Sequence, residues 1–305
     1  MDSIILEYFL RVAEFGSINR AASDLNLSQP ALSRHIAKLE HELACALFVR
    51  SQGGVSLTDA GQLLADRARP LLRQFTAIKL QVGEKAAGQL SIGVPPSLQR
   101  IFTTAFTTSL VTQHPGIAVR IYEGVSNILR DNMLAGLLDL CIVPFDDSMI
   151  RGYQQTALVR EPLVLVRRKD AGLCIDAPVP LSFIDGIKLI LPARPNAIRV
   201  QLEHALSRKG MSFVAAVEPD TLGLCMELTL QGLGSTVMPA CALYQYSRAS
   251  ELSWCPIAGQ LMTWALFENI LRSHSQAVRE GRRLVLSTIT NSLEKNLWFG
   301  GEDAR

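Results

Sequence analysis

Four apolar residues, Leu32, Ile36, Leu39 and Leu43, recur at spacings of 4, 3 and 4 around the run Ser28-Gln-Pro-Ala-Leu-Ser33, and this pattern constrains the chain more than any other. Steps of three and four place side chains on one face of an α-helix. Pro30 fixes where that helix begins, because a proline is tolerated in the first turn, where its missing N–H has no internal partner. Ser28 is suited to cap it. The spacing therefore predicts a helix from Ser28 to about Leu43, with its leucine face held against preceding elements and with Gln29, Ser33, Arg34, Ala37 and Lys38 pointing away.

Upstream, Tyr8, Phe9, Val12 and Ala13 give a first helix one apolar side. Gly16 ends it, Ser17 caps a second helix with Ala21, Ala22 and Leu25 on its buried side, and Asn26-Leu27 is a tight connection. A short helix, a sharp break and a second helix with a polar leading edge let one helix cross a duplex backbone while the next enters the major groove. Gln can contact adenine bidentately, Arg can contact guanine, and Ser or an exposed helix N-terminus can hold phosphate. An ordinary surface helix with a solvated polar face fits the same spacing.

Total charge does not decide between these readings. The net charge is +2, and residues 1–87 carry ten Lys plus Arg against nine Asp plus Glu, so the argument rests on where the charges sit. A chain of 305 residues with 48% hydrophobic and 19% charged residues has material for two or three globular domains.

From Asp59 to Ala87 the sequence reads as one long helix, with Leu64, Ala68, Leu71, Phe75, Ile78 and Val82 forming a heptad seam. Such a seam buries itself against a second helix, which predicts a dimerisation linker; packing on its own domain is the plainer alternative. Pro70 predicts a bend. After Gly88, strand-like runs (Leu90–Val94, Ile117–Tyr122, Asp139–Val143, Leu163–Val166, Lys188–Leu191, Phe213–Val217, Ser235–Met238 and Thr263–Phe267) alternate with helical patterns (Leu98–Gln113, Ser126–Gly136, Ala197–Lys209 and Thr221–Leu230). That alternation predicts parallel α/β sheets, which over this length form two subdomains sharing a cleft.

Gly16-Ser17, Ala21-Ala22, Leu25, Ser28-Gln29-Pro30-Ala31-Leu32-Ser33, Ile36, Leu39-Glu40, Leu47-Phe48, Arg50, Leu57-Thr58 and Ala60-Gly61 together closely resemble the N-terminal domain of LysR-type transcriptional regulators. A weaker match continues through the Leu90 strand, Asp139, Glu161-Pro162-Leu163 and Gly232-Leu-Gly-Ser-Thr-Val-Met-Pro239, and is similar to the nitrogen-assimilation-control branch. The resemblance implies a helix-rich head followed by an α/β half: a winged helix-turn-helix over 1–58, a linker helix over 59–87, and a periplasmic-binding-protein-like effector domain over 88–305. Within the last, subdomain I is expected at about 90–160 and 267–305 and subdomain II at about 161–266.

By matching position, the resemblance places Gln29, Pro30, Ser33 and Arg34 at the DNA surface, with Arg50 on a wing that spans Arg50 to Ser56; Ser28 at the helix start and Lys38 on the same polar side join them as expected DNA contacts. The chain departs from many relatives at Gly53, where they carry a second basic residue. The implied partners are double-stranded DNA, a second or further copies of the chain as homodimer or homotetramer, a small-molecule effector that is often an organic anion, and RNA polymerase. One bidentate base contact discriminates by ~1 to 3 kcal/mol, whereas operator specificity needs roughly 4 to 10 kcal/mol. One head is insufficient, so an operator with two-fold symmetry is expected.

Ligands of open α/β sheets bind beyond the strand C-termini. This points to Val94-Pro-Pro-Ser97, Glu123-Gly-Val-Ser-Asn127, Pro192-Ala-Arg-Pro-Asn-Ala197 and Pro219-Asp-Thr221, and within them to Ser97, Ser126, Asn196 and Thr221. Each also suits simple helix capping. Arg194 and Arg199 could supply charge or be solvated surface.

No catalytic elbow, metalloprotease pair or phosphate loop occurs, and Gly232-Leu-Gly-Ser lacks the third glycine of a dinucleotide fingerprint. His35, His41, His114, His204 and His274 fall at no metal-ligand spacing, so neither metal nor cofactor is expected. Cys45, Cys141, Cys174, Cys225, Cys241 and Cys255 contain no Cys-x-x-Cys and read as buried reduced thiols, with a redox pair or metal site as alternatives. No apolar run reaches the ~18 residues of a membrane span, which together with the acidic start predicts a cytoplasmic protein. The rival from another class is a solute-binding or enzymatic α/β protein whose N-terminal helices only mediate association.

Overall fold

The computed structural model describes residues 2–51, 54–83, 88–146, 150, 152–270 and 275–305, with side chains for the same residues except 50, 51, 70 and 73–83. They form two compact units, Met1–Lys85 with Ala135–Leu137, and Ala86–Leu134 with Leu138–Arg305.

In the first unit, α1 (Ser3–Phe15) is capped by Asp2, whose carboxylate accepts from Ile4 N, and it ends at Gly16, left-handed at φ 59°. Ser17 caps α2 (Ile18–Asp24) by accepting from Arg20 N at 3.4 Å, and Asn26 turns the chain at φ 55°. In α3 (Gln29–Glu42), Leu32, Ile36 and Leu39 are buried against Phe9, Val12, Ala21 and Ala22. Two expectations fail at its ends. The helix ends at Glu42, as expected to within a residue, but Leu43 is its C-cap and 37% exposed instead of lying on the buried face. Ser28 stands at the N-cap with extended backbone, but its hydroxyl makes no capping bond.

The chain then forms an antiparallel hairpin, β1 (Phe48–Ser51) with β2 (Gly54–Leu57), in the register Phe48↔Leu57 to Ser51↔Gly54. Glu40 fastens this wing to α3 by accepting from Leu47 N at 2.7 Å and Phe48 N at 3.2 Å. Thr58 accepts from Gly61 N and donates to Ala46 O, which starts α4 (Asp59–Gly83) against the wing. The approach is so close that a Cβ on Gly61 would lie 2.1 Å from Leu47 O.

The seam on α4 begins as its own unit's packing. Ala65 and Ala68 are buried and Leu64 packs on the same core, whereas Leu71 is 45% exposed. The side chains of Phe75, Ile78 and Val82 lie outside the described residues. Pro70 does not end the helix, which runs on to Gly83.

The second unit is built on a mixed sheet of order β11-β6-β10-β5-β3-β4, with β9 also on β6. Its strands are β3 (Gln89–Val94), β4 (Ala118–Glu123), β5 (Leu140–Pro144), β6 (Tyr153–Arg168), β9 (Thr236–Pro239), β10 (Leu252–Asn269) and β11 (Glu302–Asp303). A separate parallel pair, β7 (Lys188–Ile190) and β8 (Val214–Val217), meets the β9 side through the bridge Leu189↔Ser235. The helices are α5 (Thr104–Gln113), α6 (Ser126–Leu134), α7 (Ala197–Ser207), α8 (Leu222–Leu230) and α9 (Gln276–Glu294).

The expectation of parallel sheets is half met. β3 pairs parallel with β4 and β5, but β10 runs antiparallel to both β5 and β6, and β9 antiparallel to β6. The runs Leu163–Val166 and Thr263–Phe267 are pieces of much longer strands, and these two strands serve both lobes of a two-subdomain α/β architecture. One lobe carries β3, β4 and β5; the other carries β7, β8 and β9. Asp139 joins β3 to β5 by accepting from Ser91 N at 2.8 Å while nearly buried. No helix among the described residues is long and apolar enough to cross a membrane.

Glu40 generates a prediction. Hydrogen bonds to a charged group contribute about 1.5 to 3 kcal/mol, so Glu40→Ala should destabilise the first unit by an amount of that order. Glu40→Gln, which keeps an acceptor, should lose less. Denaturant unfolding of the full chain, followed by far-UV circular dichroism, checks both.

Candidate functional site

The exposed side of α3 is the candidate surface in the first unit. Ser28, Gln29, Pro30, Arg34 and Lys38 are exposed, and Ser33 is half-buried. Gln29 Nε2 donates to Ser33 Oγ at 2.9 Å, and Arg34 Nε donates to the Pro30 carbonyl at 3.3 Å, so the first two turns lay their polar groups along the helix. Arg34 and Lys38, four residues apart, put two cations on successive turns. Because Ser28 does not cap the helix, its hydroxyl remains free of that role. Arg50 is placed by its backbone, paired with Val55 in the wing; its side chain lies outside the described residues, as do Gln52 and Gly53. His35 is half-buried against the Tyr8 ring, with centroids 5.3 Å apart.

In the second unit the four loops singled out from the sequence line one cavity of about 530 Å³. Ser97 comes from the 3₁₀ turn after β3, Ser126 from the start of α6, Asn196 from the residue before α7 and Thr221 from the residue before α8. Three helix N-termini therefore converge on it. Asn196 Oδ1 accepts from Ile198 N at 3.0 Å and Arg199 N at 3.4 Å, and Thr221 Oγ1 accepts from Leu224 N at 3.3 Å, so both residues cap their helices. Ser97 makes no capping bond and is buried.

The charges at the cavity are unlike a simple anion pocket. Arg194 lines it, but its guanidinium is committed to Glu203 at 2.7 Å. Arg199 does not line it; it is half-buried between Glu203 at 2.8 Å and Glu218 at 2.5 Å, which hold it charged. Glu123 and Asp220 stand exposed at the rim. The apolar lining includes prolines, Ile128, Ile198 and Leu222 and, from β10, Met262 and Trp264. Those two residues carry no local motif, and the pairing of β10 with β6 and β5 brings them there.

The thiols divide more evenly than expected: Cys141, Cys225, Cys241 and Cys255 are buried, while Cys45 and Cys174 are exposed. Burial pushes Cys141 up to about 12 and Cys225 up to about 11. Among the described residues no group of three His, Cys, Asp or Glu could hold a metal ion.

Comparison with known proteins connects the two sites. Residues 5–62 match the family described as bacterial regulatory helix-turn-helix protein, lysR family, and residues 83–287 match the LysR substrate binding domain. The chain is 30% identical over 303 residues to the nitrogen assimilation regulatory protein nac of Escherichia coli K12, covering 96% of this chain and 97% of that protein. It is also 30% identical over 247 residues to the hydrogen peroxide-inducible genes activator of Escherichia coli O6:H1, covering 78% and 79%. The crystal structure of CbnR, a LysR family transcriptional regulator, shares the fold with a TM-score of 0.69 at 18% identity, covering 95% of this chain and 99% of that one. These matches set aside the enzymatic and solute-binding alternatives: the chain belongs to the LysR family and is a transcriptional regulator with a DNA-binding helix-turn-helix and a substrate-binding domain.

Proposed function

We propose that this regulator reads its operator through Gln29, Ser33 and Arg34 of α3, with Ser28, Pro30, Lys38 and Arg50 at the phosphate backbone, and that it does so as a homodimer or homotetramer. The observation that carries the reading is the one-sided burial of α3, which leaves its polar leading turns at the surface. Self-association is supported by the second unit. Among the described residues β4 and β8 are sheet edges, and Val111 on α5 and Val200 on α7 are 52% and 48% exposed; open edges and exposed apolar side chains favour pairing with another chain. The place of action is the cytoplasm, with RNA polymerase as the further partner.

The effector is a small organic anion held by Ser97 and Ser126, with Asn196 and Thr221 shaping the site. Helix N-termini present partial positive charge and N–H groups, and three of them meet here. Glu123 and Asp220 repel a second negative group at the rim, so the ligand's far end is neutral or cationic and its body apolar enough for Trp264 and Met262. Peroxide sensing, the role in the name of one relative, is disfavoured. The cavity wall carries no cysteine among the described residues, and burial holds the thiol of Cys241 behind it well above its ordinary value, in the unreactive protonated form.

Binding of the full chain to its own upstream DNA should weaken steeply with salt. Arg34→Ala and Gln29→Ala should each cost about 1 to 3 kcal/mol and relax sequence preference. Unchanged, sequence-indifferent binding in both variants would sink the operator reading; fluorescence anisotropy measures it.

For the cavity, a thermal-shift series with small carboxylates should raise the melting temperature in a concentration-dependent way. Ser97→Ala and Ser126→Ala should weaken that response and leave operator affinity intact. Asn196→Ala should instead lower stability by about 1 kcal/mol through its lost cap. In a Cys45→Ser, Cys174→Ser variant, hydrogen peroxide should leave operator binding unchanged.

A further inference from the structure

Behind the cavity one charged residue is wholly out of water. Glu161 is fully buried and does not itself line the cavity. It lies on β6 opposite Met262 of β10, in the short paired stretch between two register breaks, one between Pro256 and Leu261 and one between Trp264 and Ala265. Such irregularities bend strands and interrupt the ladder, and the neighbouring Pro162 has no N–H to give it. On one side of this stretch β10 pairs with β5; on the other, β6 pairs with β9. It is the joint at which both long strands pass from one lobe to the other.

The carboxylate ties one wall of the cavity to the turn packed behind it. One oxygen accepts from the indole N–H of Trp264, which lines the cavity. The other accepts from Cys241 N at 2.7 Å, in the 3₁₀ turn Ala240–Leu243 that follows β9. That turn packs against the turn Pro96–Leu98, which carries Ser97 into the cavity lining. The buried indole nitrogen of Trp298 has no hydrogen-bond partner among the described residues.

Burial pushes the Glu161 carboxyl above its ordinary value, and these donors draw it back. Among the described residues no cation takes part. Cys241, kept protonated by burial, is the titratable group in contact with it. A buried carboxylate without a counter-cation is a poor way to fill a core. It is warranted where several donors must be held in one geometry.

We propose that Glu161 is a positioning residue for the effector cavity, its two oxygens fixing Trp264 in the cavity wall and, behind the wall, the turn Ala240–Leu243 against which the turn carrying Ser97 packs. This rests on the cavity being the effector site. Protonation removes the arrangement, because a carboxylic acid presents one hydroxyl donor and cannot accept equally from both N–H groups.

The test uses the full chain with tryptophan labelled at the indole nitrogen, the Trp264 signal being assigned by its loss in Trp264→Phe. The Trp264 N–H proton should resonate downfield and move in a single step with pH, at a midpoint above the ordinary carboxylate range. In Glu161→Gln the step should vanish, and in Glu161→Asp, too short to reach both donors, the downfield shift should shrink. A Trp264 signal with the same position and pH response in Glu161→Gln overturns the inference. Should that variant fail to fold, the titration of the natural chain still decides, since a Trp264 signal without a pH step overturns it equally. The measurement needs neither DNA nor effector, so loss of operator binding with the step intact counts against the proposed function and not against Glu161.

Discussion

The burial of one face of α3 is the constraint on which the DNA-reading unit depends. Leu32, Ile36 and Leu39 are each at most 1% exposed, and they meet Phe9, Val12, Ala21 and Ala22 of the two preceding helices. Fully burying an aliphatic side chain contributes about 1.5 to 3 kcal/mol, far more than any polar group on the opposite face returns. The apolar side therefore decides the helix's rotation, and the polar side follows without being stabilised for itself. A surface set this way is free to vary in sequence, which suits the operator reading proposed for it. Glu40 and Thr58 extend the same logic to the wing, because each ties the hairpin to a helix through main-chain groups whose identity does not matter.

The substrate-binding unit is organised by two long strands instead of a single helix face. β6 and β10 are paired along most of their length, and the interruption of that pairing divides the sheet into parts belonging to different lobes. The strands of the first lobe end where α6 begins; the loops before α7 and α8 end in the second. Loops that carry helix starts therefore converge from both sides, and the polar groups that every helix must satisfy at its first turn become the lining of the cavity. Asn196 and Thr221 show the competition this creates, since a side chain that caps its own helix has less to offer a ligand. Ser97 is not so engaged, and the packing of its turn against Ala240–Leu243 makes it the lining residue tied to the joint behind.

What the sequence disclosed follows from the range of the interactions concerned. The start of α3, the stop at Gly16 and the order of strands and helices are local patterns, legible within a few residues. Leu43 fails because the helix ends one residue early, a choice made by the tight turn at Ala44 with its φ of 53°. The direction of β10 is invisible locally, because its partners Leu140–Pro144 and Tyr153–Arg168 lie roughly a hundred residues away along the chain. α9 escaped notice for another reason. Its buried face includes Gly281, Thr288 and Ser292 among the aliphatics, so a count of apolar residues understates its periodicity. Among the cavity residues, the loop serines could be placed from the rule that ligands sit beyond strand ends, whereas Trp264 and Met262 depend on strand pairing and could not.

An effector in the cavity alters DNA binding only if it has different affinities for two arrangements of the protein, and couplings of this kind are typically ~1 to 3 kcal/mol. The construction of the cavity makes that difference attainable. Its walls belong to two lobes joined by two strands, so a ligand that touches both walls makes its full set of contacts in one arrangement and part of it in any other. Two hydrogen bonds lost in this way, at roughly 0.5 to 1.5 kcal/mol each, already span the required range. A ligand held by one lobe alone would bind both arrangements equally and change nothing, however tightly it bound. On the proposed reading of the cavity, the sharing of its lining between lobes, more than the strength of any contact within it, is what fits this unit to regulation.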